Sequence, residues 1–377
     1  MLNLLQSICV LSKDRKYYYP ELYSHFNTRE KQIFQDERNA FDFINTYYKY
    51  GQKESIKSSM DNKNLHTASL YFIGCLLQDL LNIHLKKIKD YYYKKEDNYF
   101  TFLWFLITLY HDMLSMEEKI SKPIFVIPKN QQTSKRAECL FNKIIKYKKL
   151  DVNYVNEFLS FLNKKPKIFK NLYSVKLIKL YLLYRYEQMN SLDHGILAGL
   201  VLYDKLRKNY DSKKIYSRVF NKNTVYENFT YNDRIFSRKD FSLYAEAAKE
   251  IVYHNIFKPK DIESLKLYEE YNLSDLNNNN KISVKDNPLS FLLGLIDTIE
   301  PIKNVEKSIN NLQLPTINYI DILSSISVSI IKPNQISIKF LKLEKKYWQY
   351  LSKNIVEMKK WLKIEVNAKP YGYILKF

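Results

Sequence analysis

The chain has 377 residues, of which 46% are hydrophobic, so it is long enough to bury a core in one large domain or two. Its formal net charge of +20 favours anionic partners such as nucleotides, nucleic acid or acidic membranes. Three cysteines without paired spacing exclude a disulfide framework and a cysteine zinc site, and they fit a reducing compartment. Six glycines and no Gly-rich phosphate loop exclude a Rossmann or P-loop protein.

The sequence predicts neither an export signal nor a membrane span. The opening segment MLNLLQSICVLSK has no basic residues before its apolar stretch and no small-residue cleavage site. The apolar run FTFLWFLITLY is well short of the roughly 20 residues that cross a bilayer, so it reads as a buried core helix. We therefore expect a cytoplasmic protein without membrane attachment.

Two predicted helices in the first third of the chain carry histidines. Apolar residues at helical spacing predict a helix over residues 66–83, with His66 on its inward face. A strongly apolar helix is predicted over residues 99–112, and it ends on the adjacent pair His111 and Asp112.

A Lys-rich region at about residues 120–190 is predicted to be a helical insertion. Residues 120–138 contain two prolines and read as connecting structure, whereas residues 139–189 have a helical pattern. The lysines between Lys143 and Lys179 lack glycine or aromatic stacking signatures. An amphipathic exterior is therefore favoured over a nucleic-acid surface, although nucleic acid stays a possible partner.

Three helices are predicted to follow, each with a candidate functional residue. Asp193 stands where its carboxylate can cap a helix that begins with His194. A helix over residues 241–255 carries His254 near its end.

The third of these helices begins at Asn287-Pro288, an N-cap side chain followed by proline at the first helical position, and Pro301 ends it. It carries Asp297, and Gly294 is expected to permit close packing beside that carboxylate.

Near residue 320 the hydrophobic pattern changes to a period of two, which predicts strands. ISVSII and QISIKFL are separated by a turn at Lys332–Asn334, an amphipathic helix follows over residues 343–361, and IEV and YGYILKF return to strand alternation. The fold is thus predicted to be mainly α, with a helical domain over residues 1–310 and a small α+β subdomain over residues 320–377.

Six residues on these elements are of metal-ligating types: His66, His111, Asp112, His194, His254 and Asp297. Imidazole and carboxylate suit Mn, Fe, Zn and Mg. The adjacent His111 and Asp112 can bind one ion or bridge two, with His66 and Asp297 completing a first site and two further histidines supplying a second ion. Paired ions polarise a phosphoryl oxygen and stabilise the leaving oxygen, so the pattern predicts phosphate ester hydrolysis with one or two divalent cations.

The chain resembles the HD superfamily of metal-dependent phosphohydrolases, in which His, His-Asp, often two further His and a final Asp lie on an all-helical core. The resemblance covers residues 60–305 and rests on NLHTASLYFIG, WFLITLYHDM, LDHGILAGLVLYDKL, EIVYHNIF and FLLGLIDTIEP. It implies an all-helical HD-domain core. The core ligands of the family match His66, His111, Asp112 and Asp297. The extra histidines of its two-metal members match His194 and His254.

Two branches of the family differ from this chain in detail. The phosphodiesterases with a Gly-Tyr-Pro signature usually have paired histidines where His254 is followed by Asn255. The triphosphohydrolases usually have further polar catalytic residues after their His-Asp, where this chain has MLSMEEK. The segment DHGILAGLVLYDKL is similar in layout to the helix that supplies their catalytic histidine, so His194 is either a ligand or a proton donor.

The catalytic candidates are accordingly His194, Asp112 and Asp193. For phosphate binding, Lys303 follows the Pro301 break and Arg185 lies near a motif segment. Glu117 and Glu118 are candidates for carboxylates that support the ligands.

Three functions are consistent with these residues. Hydrolysis of a nucleotide, most of all a (deoxy)nucleoside triphosphate, is favoured by the DHG helix and the basic charge. A phosphodiesterase for cyclic nucleotides or dinucleotides is favoured by the second pair of histidines, and a non-catalytic nucleotide sensor is the third. Members of the family often assemble, so a homo-oligomer is possible.

Overall fold

The computed structural model describes six positions between residues 66 and 77 and most of the chain after residue 98. The described ranges are 99–163, 172–219, 241–256, 262–278, 281–300 and 326–377, with gaps at 113, 116–117, 119–123, 333–334 and 341–344.

The described helices, in chain order, are α1 (Tyr99–Tyr110), α2 (Thr133–Tyr147), α3 (Val152–Asn163), α4 (Val175–Met189), α5 (His194–Val219), α6 (Phe241–His254), α7 (Ile262–Glu270), α8 (Asp275–Asn278), α9 (Pro288–Ile299) and α10 (Lys345–Met358). The strands are β1 (Ile326–Lys332), β2 (Gln335–Phe340), β3 (Glu365–Lys369) and β4 (Gly372–Lys376). The predicted mainly α fold with a small C-terminal sheet is confirmed. None of the helices in these ranges is long and apolar enough to cross a bilayer.

The described residues fall into two compact units. Unit 1 contains those up to Leu109 and those from Lys281 onward, and unit 2 contains those between Tyr110 and Asn280. The predicted boundary between residues 310 and 320 lies outside the described ranges.

The first described residues of unit 1 are helical and pack against α1. Its residues Leu70, Ile73 and Leu77 are buried, as their spacing predicts. The indole nitrogen of Trp104 on α1 donates to the carbonyl of Tyr71 at 3.1 Å.

The indole ring of Trp104 also fills the space in which a side chain at position 74 would stand. The helix can pass this close to α1 only because Gly74 has no Cβ.

The C-terminal part of unit 1 is an antiparallel sheet with the strand order β1-β2-β4-β3. Ile336 on β2 is paired with Leu375 on β4, and Ile338 with Tyr373; all four are buried. The apolar residues at these alternate positions lie on one buried face, as the period of two predicts, although the intervening Ser337 is buried as well. On α10, Leu351, Ile355 and Met358 are buried at helical spacing. The predicted strands and helix are confirmed here.

The segment after α10 is joined to the segment that leads into α9. The amide of Ile282 donates to the carbonyl of Trp361 at 3.0 Å, and the amide of Lys363 donates back to Ile282 at 2.8 Å. The Trp361 ring lies where a side chain at Gly294 would stand. Gly294 therefore makes room for Trp361, which corrects the expectation that its role is packing beside Asp297.

Two further details differ from the sequence-based expectations. The side chain of Asn287 makes no capping hydrogen bond, so only the proline at the first position of α9 matches the predicted helix start. Helix α2 begins at Thr133, inside the segment expected to be connecting structure, because Ala137 already belongs to the buried face that continues through Leu140 and Phe141.

Unit 2 is built from helices with differing degrees of burial. Helix α2 buries one face and exposes lysines such as Lys143 and Lys146, as expected for an amphipathic exterior. Helix α4 is buried around most of its circumference, including Tyr181 and Arg185.

We expect Gly294→Ala to lower the free energy of unfolding by about 1–3 kcal/mol, because the new Cβ overlaps the Trp361 ring. Urea denaturation followed by circular dichroism measures the change. The penalty should shrink in a Trp361→Leu background, where the ring is gone. An equal penalty in both backgrounds would contradict this packing.

Candidate metal centre

The pair His111 and Asp112 forms the turn that directly follows α1. His111 is fully buried, and its Nε2 lies 3.6 Å from Oδ2 of Asp112, whose side chain is 19% exposed. The carboxylate thus stands at the boundary between the interior and solvent, with its Oδ1 atom buried.

Helices α5 and α6 supply the other two histidines of unit 2. His194 is the first residue of α5, and His254 is the last residue of α6. Asp193 Oδ1 accepts from the amide of Ile196 at 2.9 Å, so the predicted helix cap is confirmed. The other oxygen of Asp193 accepts from the side-chain Nδ2 of Asn255 at 2.9 Å, which ties the start of α5 to the residue after α6.

Two glycines let α5 and α6 approach each other closely. A Cβ at Gly195 would lie 2.8 Å from Cε1 and Nδ1 of His254 and 2.9 Å from the carbonyl of Ile251. One turn later, a Cβ at Gly199 would lie 2.6 Å from the carbonyl of Ala248. Both distances are too short for a real side chain, so the contact requires glycine at both positions.

This close approach brings three potential ligand atoms together. Nε2 of His194 lies 3.0 Å from Oδ1 of Asp112 and 3.2 Å from Nε2 of His254. Asp112, His194 and His254 each offer one ligand atom, and these atoms lie within 4.8 Å of one another. The ring of His111 stands edge-on to that of His254, with centroids 5.5 Å apart.

The second nitrogen of each ring is already used. His254 Nδ1 donates to the carbonyl of Ile251 at 2.6 Å. His194 Nδ1 lies 3.0 Å from Oε2 of Glu118. When these nitrogens hold the protons, both Nε2 atoms present lone pairs, which is the usual arrangement of metal-ligating histidines.

The two histidines differ in charge. Burial alone would lower the pKa of His194, but hydrogen bonds to Asp112 and Glu118 outweigh it and raise this pKa to about 10. Burial, together with the charges of the neighbouring His194 and His111, lowers the pKa of His254 to about 4. At neutral pH His194 is therefore the charged ring of the pair, and its additional proton faces Asp112, where a cation can replace it.

Glu118 links His194 to the guanidinium of Arg185. One of its carboxylate oxygens faces His194, and the other accepts from the guanidinium of Arg185, which also donates to Ser191 Oγ at 3.1 Å. Burial acts to raise the pKa of Glu118, but the hydrogen bond and charge of His194 and the charge of Arg185 outweigh it and lower this pKa.

Two further predicted ligands, His66 and Asp297, belong to unit 1 and lie next to each other. His66 Nε2 lies 3.4 Å from Oδ1 of Asp297, and His66 Nδ1 lies 2.7 Å from Oε2 of Glu300. Glu300 is fully buried and ends α9 in an extended conformation, as the following proline requires. The convergence of all six ligands on one pair of ions stays a prediction.

The remaining predicted residues have mixed outcomes. Lys303 and Glu117 lie outside the described residues. Asp193 and Arg185 make the structural contacts given above, so their catalytic and phosphate-binding roles stay predictions. Sequence reasoning did not identify Glu300 or Gly195, although the glycine next to His194 is itself a signal of close packing.

Comparisons with protein-family models, with curated proteins and with solved structures found no match.

We expect Gly195→Ala to weaken metal binding at Asp112, His194 and His254 roughly tenfold, because the new Cβ displaces the His254 ring and its Nδ1 hydrogen bond. Titration with Co²⁺, followed by visible absorption, measures the affinity. Gly199→Ala is the matched control, since it strains the same helix pair one turn away from the ring. Equal losses of affinity in the two variants would contradict a specific effect on His254.

Proposed function

We propose that this protein is a metal-dependent phosphohydrolase that cleaves phosphate esters in a nucleotide, with a (deoxy)nucleoside triphosphate as the favoured substrate. One observation carries the proposal: Asp112, His194 and His254 of unit 2 each offer one ligand atom, and these atoms lie within 4.8 Å of one another. Histidine is rare in this chain, with six residues, and two of them meet one carboxylate although the three residues come from separate segments.

The donor set fits a transition metal. Two imidazole nitrogens and one carboxylate oxygen suit Mn, Fe or Zn better than an ion that prefers oxygen ligands alone. The Nδ1 contacts with Glu118 and the Ile251 carbonyl fix both rings in the orientation that coordination needs. A divalent cation there would polarise a phosphoryl oxygen as a Lewis acid.

The chain's own residues would divide the remaining work. Asp112 and His254 act as ligands, and His194 is either a third ligand or the proton donor to the leaving group. The raised pKa of His194, which its hydrogen bonds to two carboxylates cause against the effect of burial, is consistent with a proton donor. The net charge of +20 attracts a polyphosphate.

The HD resemblance supports the same reaction class. Its residues occur in the chain order His66, His111-Asp112, His194, His254 and Asp297. The contact between His66 and Asp297 within unit 1 is the one expected if they share a cation.

A phosphodiesterase for cyclic nucleotides or dinucleotides is the second candidate. The observation that favours it is the 3.2 Å separation of the Nε2 atoms of His194 and His254, since paired histidines suit a second ion. A nucleotide sensor without turnover would use the same residues for binding alone.

A product-resolved panel of nucleotides, assayed with Mn²⁺ and with chelator, tests the proposal. We expect Mn²⁺-dependent release of tripolyphosphate from a deoxynucleoside triphosphate. A linear product from a cyclic dinucleotide would select the phosphodiesterase, and binding without turnover would select the sensor. Hydrolysis that persists in metal-stripped protein would overturn the metal mechanism.

Asp112→Ala should abolish both metal binding and turnover, because the carboxylate is the anionic member of the ligand set. Metal content by elemental analysis and activity on the preferred nucleotide measure the two effects. Asp211→Ala is the control, since it removes a carboxylate of unit 2 that instead contacts Tyr154 and Arg207. Full activity of the Asp112 variant would refute the site.

His194→Gln separates the two roles of this residue. If His194 is a ligand, the variant loses metal and activity together. If it is the proton donor, the variant keeps its metal but loses roughly 10²–10⁴-fold in turnover. We expect loss of metal, because Nε2 of His194 lies 3.0 Å from Oδ1 of Asp112 and 3.2 Å from Nε2 of His254, next to both other candidate ligand atoms. Retained metal with retained turnover would exclude both roles.

A further inference from the structure

We propose that Glu118 is the positioning residue of His194 and that Arg185 in turn holds Glu118 in place. The inference rests on the proposed function, because it assigns to these residues the orientation of a metal ligand. Glu118 does not touch the substrate in this scheme, and it acts only through the imidazole.

The first support is that Glu118 is attached to the His194 segment twice. Its side chain reaches Nδ1 of His194 at 3.0 Å, and its backbone carbonyl accepts from the amide of Leu192 at 2.9 Å. The backbone contact fixes the chain just before α5, and the side-chain contact fixes the ring at its start.

The second support is that the imidazole lies between two carboxylates from one short segment. Asp112 contacts Nε2 at 3.0 Å, and Glu118 contacts Nδ1 at 3.0 Å. A carboxylate that accepts from Nδ1 makes this nitrogen the protonated one when a metal binds, which leaves Nε2 as the ligand atom. The Glu118 contact thus selects the nitrogen that faces Asp112 and His254.

The third support is the way in which Arg185 is held. Its Nε donates to Ser191 Oγ, its NH2 group donates to Glu118, and the amide of Ser191 donates to the Arg185 carbonyl at 3.2 Å. The side chain is only 10% exposed, and movement of the guanidinium would leave the buried hydroxyl of Ser191 without its donor. Arg185 therefore keeps one oxygen of Glu118 occupied and turns the other toward His194.

The experiment compares Glu118→Ala, Glu118→Gln and a matched control, Glu187→Ala. Glu187 accepts from the guanidinium of Arg136 and from the Tyr271 hydroxyl, so its loss also breaks an arginine–glutamate pair of unit 2. We measure Zn²⁺ affinity by calorimetry and the His194 Nδ1–H proton by ¹⁵N-edited NMR, in metal-free and Zn²⁺-loaded full-length protein.

We expect Glu118→Ala to lower the Zn²⁺ affinity roughly 10–100-fold and to remove the protected Nδ1–H signal. The glutamine variant should recover most of the affinity, because its amide oxygen can still accept from Nδ1–H, and the Glu187 variant should match the unaltered protein. Unchanged affinity, or an Nδ1–H signal that persists without Glu118, would overturn the assignment.

Failure of the proposed function has a different signature. In that case the unaltered protein binds no Zn²⁺, whereas the NMR signal of the metal-free protein still reports whether Glu118 holds the ring. Persistence of that signal in Glu118→Ala overturns the positioning role, and its selective loss supports it.

Discussion

The candidate centre depends on how closely α5 can approach α6. The backbone carbonyls of Ile251 and Ala248 lie where side chains would stand at Gly195 and Gly199. Since backbone cannot yield as a flexible side chain does, the helix spacing is set by the absence of two Cβ atoms. Each helix contributes its terminal histidine at this contact, so the spacing also sets the distance between the two rings.

The same contact explains why the two histidines have opposite electrostatic surroundings. His254 is enclosed beside Gly195 and uses its Nδ1 on a neutral carbonyl, so burial dominates its pKa. His194 is one residue away from the same glycine but faces two carboxylates, which outweigh its burial. The two rings therefore lie close together but differ in charge. His194 holds its additional proton strongly, whereas His254 offers a lone pair on Nε2.

Local patterns predicted the elements well and their partners poorly. An apolar run located α1, helix-boundary residues located α9, and periodicity located α6 and the strands, because each signal lies within a few neighbouring residues. The partner of Gly294 is Trp361, far along the chain, and the partner of His194 is Glu118, so neither could be read from spacing. The start of α2 was missed because two nearby prolines suggested a loop. The candidate ligands came from residue type and order, and Glu118 was among the predicted supporting carboxylates. The ring that Glu118 faces, and the presence of Glu300 beside His66, emerged only from the fold.

The reciprocal hydrogen bonds of Ile282 with Trp361 and Lys363 join the segment before α9 to the segment between α10 and β3, and this connection bears on how the two parts unfold. Ten of the twelve residues of α9 are buried, so other parts of the chain must pack against nearly every side of this helix. The ring of Phe377 lies 5.6 Å from that of Phe291 and supplies part of it. Opening of the terminal sheet and release of α9 therefore belong to one cooperative event, and amide hydrogen exchange in both should share a common free energy. Because Asp297 lies on α9, its carboxylate keeps its position only while the C-terminal sheet stays folded.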